Sequence, residues 1–457
     1  MPIKSLIYLF TLVSSTAGAL IVTPLIGLFA YLLTYNVNPL SFWWANYVPD
    51  FFHRYAFILG TATILGTILH ASKVKLYQRL DRQEILLIFF VLTVWLSTAI
   101  GLQNLTDYDY TFKMTKVAVI LLIASRLITE YKYFNMLVWI YILSALYSGY
   151  EIFSSEYLSF RMGRLQTGVG GSDFSEGNFL AAHYLFILPL VAKKFITGNW
   201  QVKLISLLSA AFIVNSLILI ESRGSFLALA VGGFSALIFS PGIYRKKVVT
   251  VLIIGAIGFG FLSDQTFWSR MGSMKAYDSD GYSINNDTSG IDESTAGRIA
   301  AWQAAFKMFT DHPLGIGEGN FFHLVGSYNP SIAGKDTHNT FLRCLAELGI
   351  QGFLILILMI YTAFSTLSFL SRNIQNQGNF EMNIKLDIFV LRVSLIMFLV
   401  TSCFLTHTYI EEFYWLLMLP LFLKRSLENT EFEKLSSPIL NEGNTDLSGK
   451  DEPNYVV

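Results

Sequence analysis

One histidine and a handful of arginines are the side chains of this chain best suited to chemistry, because of where they fall. His338 and Asn339 stand just before an apolar run at 349–371 that is long enough to cross a bilayer, so an ionisable ring lies where solvent meets membrane. A neutral imidazole with an unperturbed pKa of about 6.5 accepts a proton from a hydroxyl at ambient pH. The carboxamide beside it can orient that ring or a sugar. Arg161, Arg164, Arg223 and Arg298 fall near membrane level on the same side as His338. A planar guanidinium makes two parallel charge-assisted hydrogen bonds to phosphate oxygens, so several arginines beside one histidine point to a phosphate-bearing lipid. For Arg223, an ion pair with Glu221 two residues away is an equally open reading. His312 and His323 lack this setting, and His407 near Glu411 and Glu412 is a secondary alternative base.

The elements that must position these groups are membrane helices. Of 457 residues, 53% are hydrophobic and only 14% are charged, whereas about a quarter of an ordinary soluble chain is charged. The expected fold is an all-α polytopic membrane protein of about twelve transmembrane helices. Apolar runs fall near 6–35, 54–71, 84–102, 113–129, 134–153, 178–196, 203–221, 224–240, 247–263, 349–371, 385–405 and 409–423. The formal net charge is zero, so no global basic field suggests nucleic acid. The two cysteines, Cys344 and Cys403, indicate neither a disulfide framework nor a thiolate metal site.

Orientation follows from lysine and arginine in the short connections. Arg79 and Arg82, Arg126 and Lys132, Lys193, Lys194 and Lys203, Arg245 to Lys247, Arg372 and Lys385, and Lys424 and Arg425 occupy every second connection, which places those loops in the cytoplasm. The run 6–35 would make a helix of roughly 45 Å, longer than a bilayer core. It reads as one tilted span or as a pair broken around Gly18 and Pro24. A single crossing, with Lys4 inside and 36–54 outside, is the expectation, with both termini cytoplasmic.

Two outward loops break the pattern. One, 154–177, carries Arg161, Arg164 and the glycine-rich Gly168 to Asp173; the other, 264–348, is too long for a simple connector and is expected to form a small subdomain containing short helices. The domain expectation is therefore membrane helices in 1–263, the loop subdomain in 264–348, membrane helices again in 349–426 and a disordered tail in 427–457. Within the loop, Ile299, Trp302, Phe306 and Phe309 recur at helical spacing after the possible caps Ser294 and Thr295, predicting an amphipathic helix with that face on the bundle or at the lipid surface. Asp278 and Asp280 sit in an acidic polar stretch and read as solvated carboxylates rather than a metal site; no metal and no cofactor are expected.

His338-Asn339 followed after nine residues by Gly349-x-x-Gly352 resembles the signature of the bacterial O-antigen ligase family. Gly297-Arg298 with Trp302, His312-Pro313-Leu314-Gly315-Ile316-Gly317, Gly319-Asn320-Phe321 and Ser222-Arg223-Gly224-Ser225 are similar to the rest of that pattern. The resemblance implies a C-type membrane glycosyltransferase of the bacterial cytoplasmic membrane, its site facing the periplasm. Such an enzyme takes a glycan from undecaprenyl diphosphate to an acceptor hydroxyl, lipid A-core in a ligase, without a metal and with inversion. His338 would then be catalytic, Asn339 orienting, and Arg161, Arg164, Arg223 and Arg298 the diphosphate set. The same superfamily holds polysaccharide polymerases and protein O-glycosylation ligases, which stay open as alternatives. A transporter would show internal repeats and ionisable residues at mid-span; no clear repeat is visible.

Overall fold

In lipid the backbone has no water to bond, so apolar runs of this length fold as helices. The computed structural model describes residues 1–436 apart from 73, 75–78, 103–108, 155–159, 162–163, 166–168, 170–171, 175, 264, 266, 269–292 and 375–378. Asp278, Asp280, most of the glycine-rich stretch and the end of the tail therefore lie outside the described residues. In chain order the helices are α1 (Ile3–Ile21), α2 (Pro24–Val37), α3 (Tyr55–Leu69), α4 (Arg82–Ile100), α5 (Asp109–Leu127), α6 (Tyr131–Ser154), α7 (Gly177–Thr197), α8 (Trp200–Ile220), α9 (Arg223–Phe239), α10 (Arg245–Leu262), α11 (Glu293–Asp311), α12 (Phe321–Tyr328), α13 (Thr340–Asn373), α14 (Asn379–Ser402) and α15 (Glu411–Ser436). A two-strand hairpin, β1 (Phe160–Arg161) with β2 (Arg164–Leu165), interrupts them before α7.

Among the described residues seven helices are long and apolar enough to cross a membrane, or eight if α9 and α10, bent by 115° at their junction, count as one broken span. That falls short of the expected twelve, and the shortfall has physical causes. The α2 helix has 14 residues, about 21 Å at 1.5 Å per residue. The α5, α14 and α15 helices carry charges along their length, several of them paired inside the bundle, as Arg126, Asp387 and Arg425 are. The α15 helix is central: Phe413, Tyr414, Trp415 and every residue on to Leu419 are fully buried, as expected for a helix that is apolar all round.

The first apolar run folds back on itself, contrary to the single crossing expected. Pro24 cannot continue α1, and it holds Thr23 extended while opening α2 at its first position. Lys4 reaches Glu151 at 2.6 Å, the Ser5 hydroxyl donates to the Trp44 carbonyl at 2.8 Å, and the Tyr8 hydroxyl to the Phe52 carbonyl at 2.8 Å. The start of α1 thus lies at the same end of the bundle as 36–54, not the opposite one.

The basic connections gather at the other end. Glu84, at the start of α4, takes Arg126 at 2.7 Å and Arg425 at 2.6 Å. Lys424 pairs with Asp81 at 2.7 Å, and Lys193 with Asp387. Removing one partner of so buried a pair strands the other charge, so these pairs fix how the helix ends meet.

The connection 293–339 packs about its own core of Ala301, Ala304, Ala305, Met308, Ile316, Phe321, Val325 and Ile332, closed by Ala346 of α13. The buried face of α11 is thus its alanine stripe. Ile299 and Phe306, expected on the bundle or at the lipid surface, are exposed, so of those two places the bundle is excluded for them. The helix also begins at Glu293, so Ser294 and Thr295 lie in its first turn rather than before it.

The fold-back of α1 is testable by labelling. In a Cys344→Ala, Cys403→Ala background, cysteines at Lys4 and Trp43 are expected to react with a membrane-impermeant maleimide from one side of intact vesicles and a cysteine at Lys132 only from the other. Labelling of the Lys4 and Lys132 positions from the same side would restore the single crossing.

Candidate active site

His338 sits in a loop held on both sides. Asn339 is the N-cap of α13, its Oδ1 accepting from the Leu342 amide at 3.0 Å, which satisfies one of the donors a helix start leaves open. Its Nδ2 donates to the Cys403 carbonyl at 3.1 Å. The Thr340 hydroxyl donates to the Leu405 carbonyl at 2.7 Å and accepts from the His407 amide at 2.8 Å. The Thr408 hydroxyl donates to the Thr340 carbonyl at 3.1 Å. Residues 337–340 and the connection between α14 and α15 are thus laced together. His338 has φ 46°, a left-handed conformation that a non-glycine residue holds only when its surroundings impose it. Its ring is half-buried and makes no hydrogen bond among the described residues, whereas both ends of the Asn339 amide are engaged. The Asn339 amide thus holds the backbone that carries the ring, and no hydrogen bond among the described residues joins it to that ring.

A joint lower in α13 sets the height of this loop. Gly349 breaks the helix at φ 68°, ψ −170°. Against the break runs 313–317: the Ile350 amide donates to the Pro313 carbonyl at 3.0 Å, the Ile316 amide to the Ala346 carbonyl at 3.0 Å, and the Gly317 amide to the Glu347 carbonyl at 3.2 Å. A Cβ on Gly349 would meet the Leu314 carbonyl carbon at 2.4 Å, and one on Gly315 (φ 99°) the Glu347 oxygen at 2.4 Å. Only glycine fits either position.

The arginines reach this end of the bundle by different elements. Arg223 opens α9, whose cap is Ser222, accepting from the Ser225 amide at 3.4 Å. The next residue, Gly224, lies against Phe404, where a Cβ would come within 3.2 Å of that side chain; Phe404 follows the carbonyl that Asn339 holds. Arg298 is one turn before Trp302 on α11, and the Trp302 indole donates to the Thr337 carbonyl at 3.0 Å, one residue from His338. Arg161 and Arg164 pair across the hairpin. Leu165 and Ile220, at the end of α8, both lie against Gly177. The side chains of Arg161 and Arg164 lie outside the described residues. The helices α7, α9, α13 and α15 all begin at this end, and the positive ends of their dipoles favour anions there.

The strongest charges near His338 belong to residues that sequence reasoning passed over. Arg343, one turn on from His338 in the sequence, donates to Asp336 at 2.9 Å and to Glu347 at 3.0 Å. Glu347 also accepts from the Tyr409 hydroxyl at 2.8 Å and the Phe321 amide at 3.0 Å. Burial would raise the Asp336 carboxyl, but Arg343, the Thr406 hydroxyl and the His338 ring outweigh it and hold it below the usual carboxylate range. Nearby, burial first of all, against hydrogen bonds from Thr111, pushes Glu318 up to about 7. Asp336, two residues before His338, was legible as a neighbouring carboxylate; Thr406 and Tyr409 came within reach only through folding.

His407 drops out as a base. Its Nδ1 meets the Ser402 hydroxyl at 3.0 Å, Phe179 and Phe398 close over it, and burial pushes it down to about 3, so it stays neutral and enclosed. Its expected neighbours are engaged elsewhere. Glu411 accepts from Tyr31 at 2.9 Å and the Trp415 indole at 2.8 Å, and Glu412 pairs with His183. Asp173 caps α15 through the Glu411 amide at 3.1 Å and binds Lys113 at 2.5 Å. No group of three or more His, Cys, Asp and Glu among the described residues could hold a metal ion.

Because Gly349 and Gly315 each leave no room for a Cβ at a positive φ, Gly349→Ala or Gly315→Ala is expected to cost at least about 1–3 kcal/mol, seen as a lower melting temperature in detergent. Gly258→Ala, with nothing within 4 Å of its Cβ position, is expected to leave it unchanged or raise it. Equal behaviour of the three variants would remove the joint from the account.

Residues 208–357 match the family model described as O-Antigen ligase, a stretch running from α8 into α13 that contains Arg223, Arg298, His338, Asn339 and the glycines of the joint. No curated protein matches the chain. The chain thus has the helices of a multi-pass membrane protein and is similar, over that stretch, to the O-antigen ligase family.

Proposed function

We propose that the protein is a glycosyltransferase that moves a glycan from undecaprenyl diphosphate to an acceptor hydroxyl, that of lipid A-core, at the periplasmic face of the bacterial cytoplasmic membrane. The observation that carries this reading is His338: a half-buried imidazole with no hydrogen bond among the described residues, held in a left-handed conformation at the end of the bundle where four helices begin. The neutral ring takes the proton of the acceptor hydroxyl. The acceptor oxygen then bonds to the anomeric carbon as the bond from that carbon to the diphosphate oxygen breaks, in one inverting displacement. Arg161, Arg164, Arg223 and Arg298, with the helix N-termini, stabilise the charge that grows on the leaving diphosphate. Asn339 keeps the histidine loop in place.

This chemistry places the burden on one base and several fixed cations, which can be removed singly. With a purified lipid-linked glycan and acceptor, His338→Ala is expected to lower the transfer rate by about 10²–10⁴-fold, as for the loss of a general base. Arg223→Ala should lower it while leaving the protein monodisperse. Full activity of either variant would remove that residue from the mechanism. Transfer is expected to survive excess chelator; activity lost to chelator and restored by a divalent ion would overturn the metal-independent mechanism.

A further inference from the structure

Asp336 and Thr406 form a brace beside His338 whose construction exceeds what holding a loop requires. The Thr406 hydroxyl donates to Asp336 Oδ2 at 2.6 Å, and Arg343 Nη1 donates to Oδ1 at 2.9 Å, so both carboxylate oxygens are fixed although the side chain is a quarter exposed. Behind Asp336 the chain of bonds runs inward. Arg343 lies 5.8 and 5.9 Å from the ring centres of Tyr409 and Tyr110, and Glu347 ties it to α12 and to the connection before α15. Thr337, between Asp336 and His338, meets Thr406 at 3.3 Å and donates to the Asn339 carbonyl at 3.1 Å. Within 336–340, His338 is the residue whose side chain is tied to nothing among the described residues. Its neighbours are bonded on both sides, which offsets the strain of its left-handed conformation.

We infer that Asp336, held by Thr406 and Arg343, is a positioning residue for His338. The pair keeps the histidine loop in its strained form and sets a fixed negative charge beside the imidazole. The inference rests on the reading of His338 as the base. When that ring takes the acceptor proton it becomes a cation, and a neighbouring carboxylate that neither moves nor protonates stabilises it. Among the described residues this end also carries the cations Arg343 on α13, Arg298 on α11, Arg223 on α9 and Lys335 in the same loop, and the carboxylates Glu318, Glu347, Asp173 and Glu411, the last three hydrogen-bonded within the bundle. The cations oppose imidazolium, and His407 in the facing connection is neutral. Asp336 is the carboxylate that counters them, since Glu347 lies deeper, behind Arg343.

The test compares Asp336→Asn, Asp336→Glu, Thr406→Ala and Thr406→Ser in the transfer assay, each also in a His338→Ala background. Asp336→Asn is expected to lower kcat by roughly 10- to 100-fold, as loss of a group bonded behind a functional histidine does, with KM for the lipid-linked glycan within about twofold. It should also move the acid limb of kcat/KM to lower pH, because a neutral amide no longer favours the protonated ring. Asp336→Glu should recover part of the rate, and Thr406→Ser most of what Thr406→Ala loses. In the His338→Ala background none of these changes should lower the rate further. An Asp336→Asn enzyme with the wild-type rate and an unmoved acid limb overturns the inference, and so does a rate loss explained by a fallen melting temperature and a raised KM. Should Asp336→Asn fail to fold, equal rates for Thr406→Ala and Thr406→Ser overturn it. Activity retained by His338→Ala alone would instead sink the proposed base.

Discussion

A membrane helix broken at its entry to the bilayer leaves backbone groups that lipid cannot satisfy, and this constraint governs the functional end of the protein. At Gly349 the α13 helix gives up its regular bonding, and the freed Ala346 and Glu347 carbonyls and Ile350 amide need partners. They find them in 313–317, a turn segment pressed so close that Gly315 and Gly349 admit no side chain. The Ser97 hydroxyl of α4 also donates to the Glu347 carbonyl, at 2.5 Å. One break thereby ties the subdomain of α11 and α12 to the membrane helices and sets the first turns of α13 across the ends of α4, α5 and α15.

The break gives α13 two tasks. Beyond Gly349 it crosses the bilayer; before Gly349 it presents a short, capped stretch with Asn339 and His338 at its head. Polar residues gather around that stretch in a graded way. Arg343 and Glu347 are buried and mutually satisfied, Asp336 is partly exposed, and His338 is left unbonded among the described residues. Such a gradient suits a reactive group: rigid behind, available in front. The opposite end of the bundle, with Glu84 between Arg126 and Arg425 and Lys424 on Asp81, by contrast holds buried ion pairs that serve assembly.

The same logic separates groups that act from groups that hold. Glu411 and Glu412 carry the formal charge a functional carboxylate needs, yet Tyr31, Trp415 and His183 occupy them fully. His407 is an imidazole close in space to the site, but enclosed and neutral. Residue type alone could not distinguish these from His338, because the distinction is one of exposure and bonding.

Much of the protein was determined by local sequence. The apolar runs required membrane helices, since backbone in lipid must bond to itself. The alternation of basic connections put lysine and arginine at one end, and a histidine and carboxamide before a long apolar stretch marked the place for chemistry. Tertiary structure decided what depends on residues far apart in the chain. Pro24 turned one long run into a hairpin, a choice that hydropathy leaves open because both answers bury the same residues. The face of α11 bearing Ala301, Ala304, Ala305 and Met308, not the one bearing Ile299 and Phe306, is buried against Ala346 of α13, which the helical period alone does not decide. Thr406 came to Asp336, Phe404 to Gly224, and 313–317 to Gly349, contacts spanning tens of residues or more that no spacing encodes. The conformation of His338 belongs with them: its strain is held by bonds that its neighbours make to distant segments, and those bonds exist only once the helices have packed.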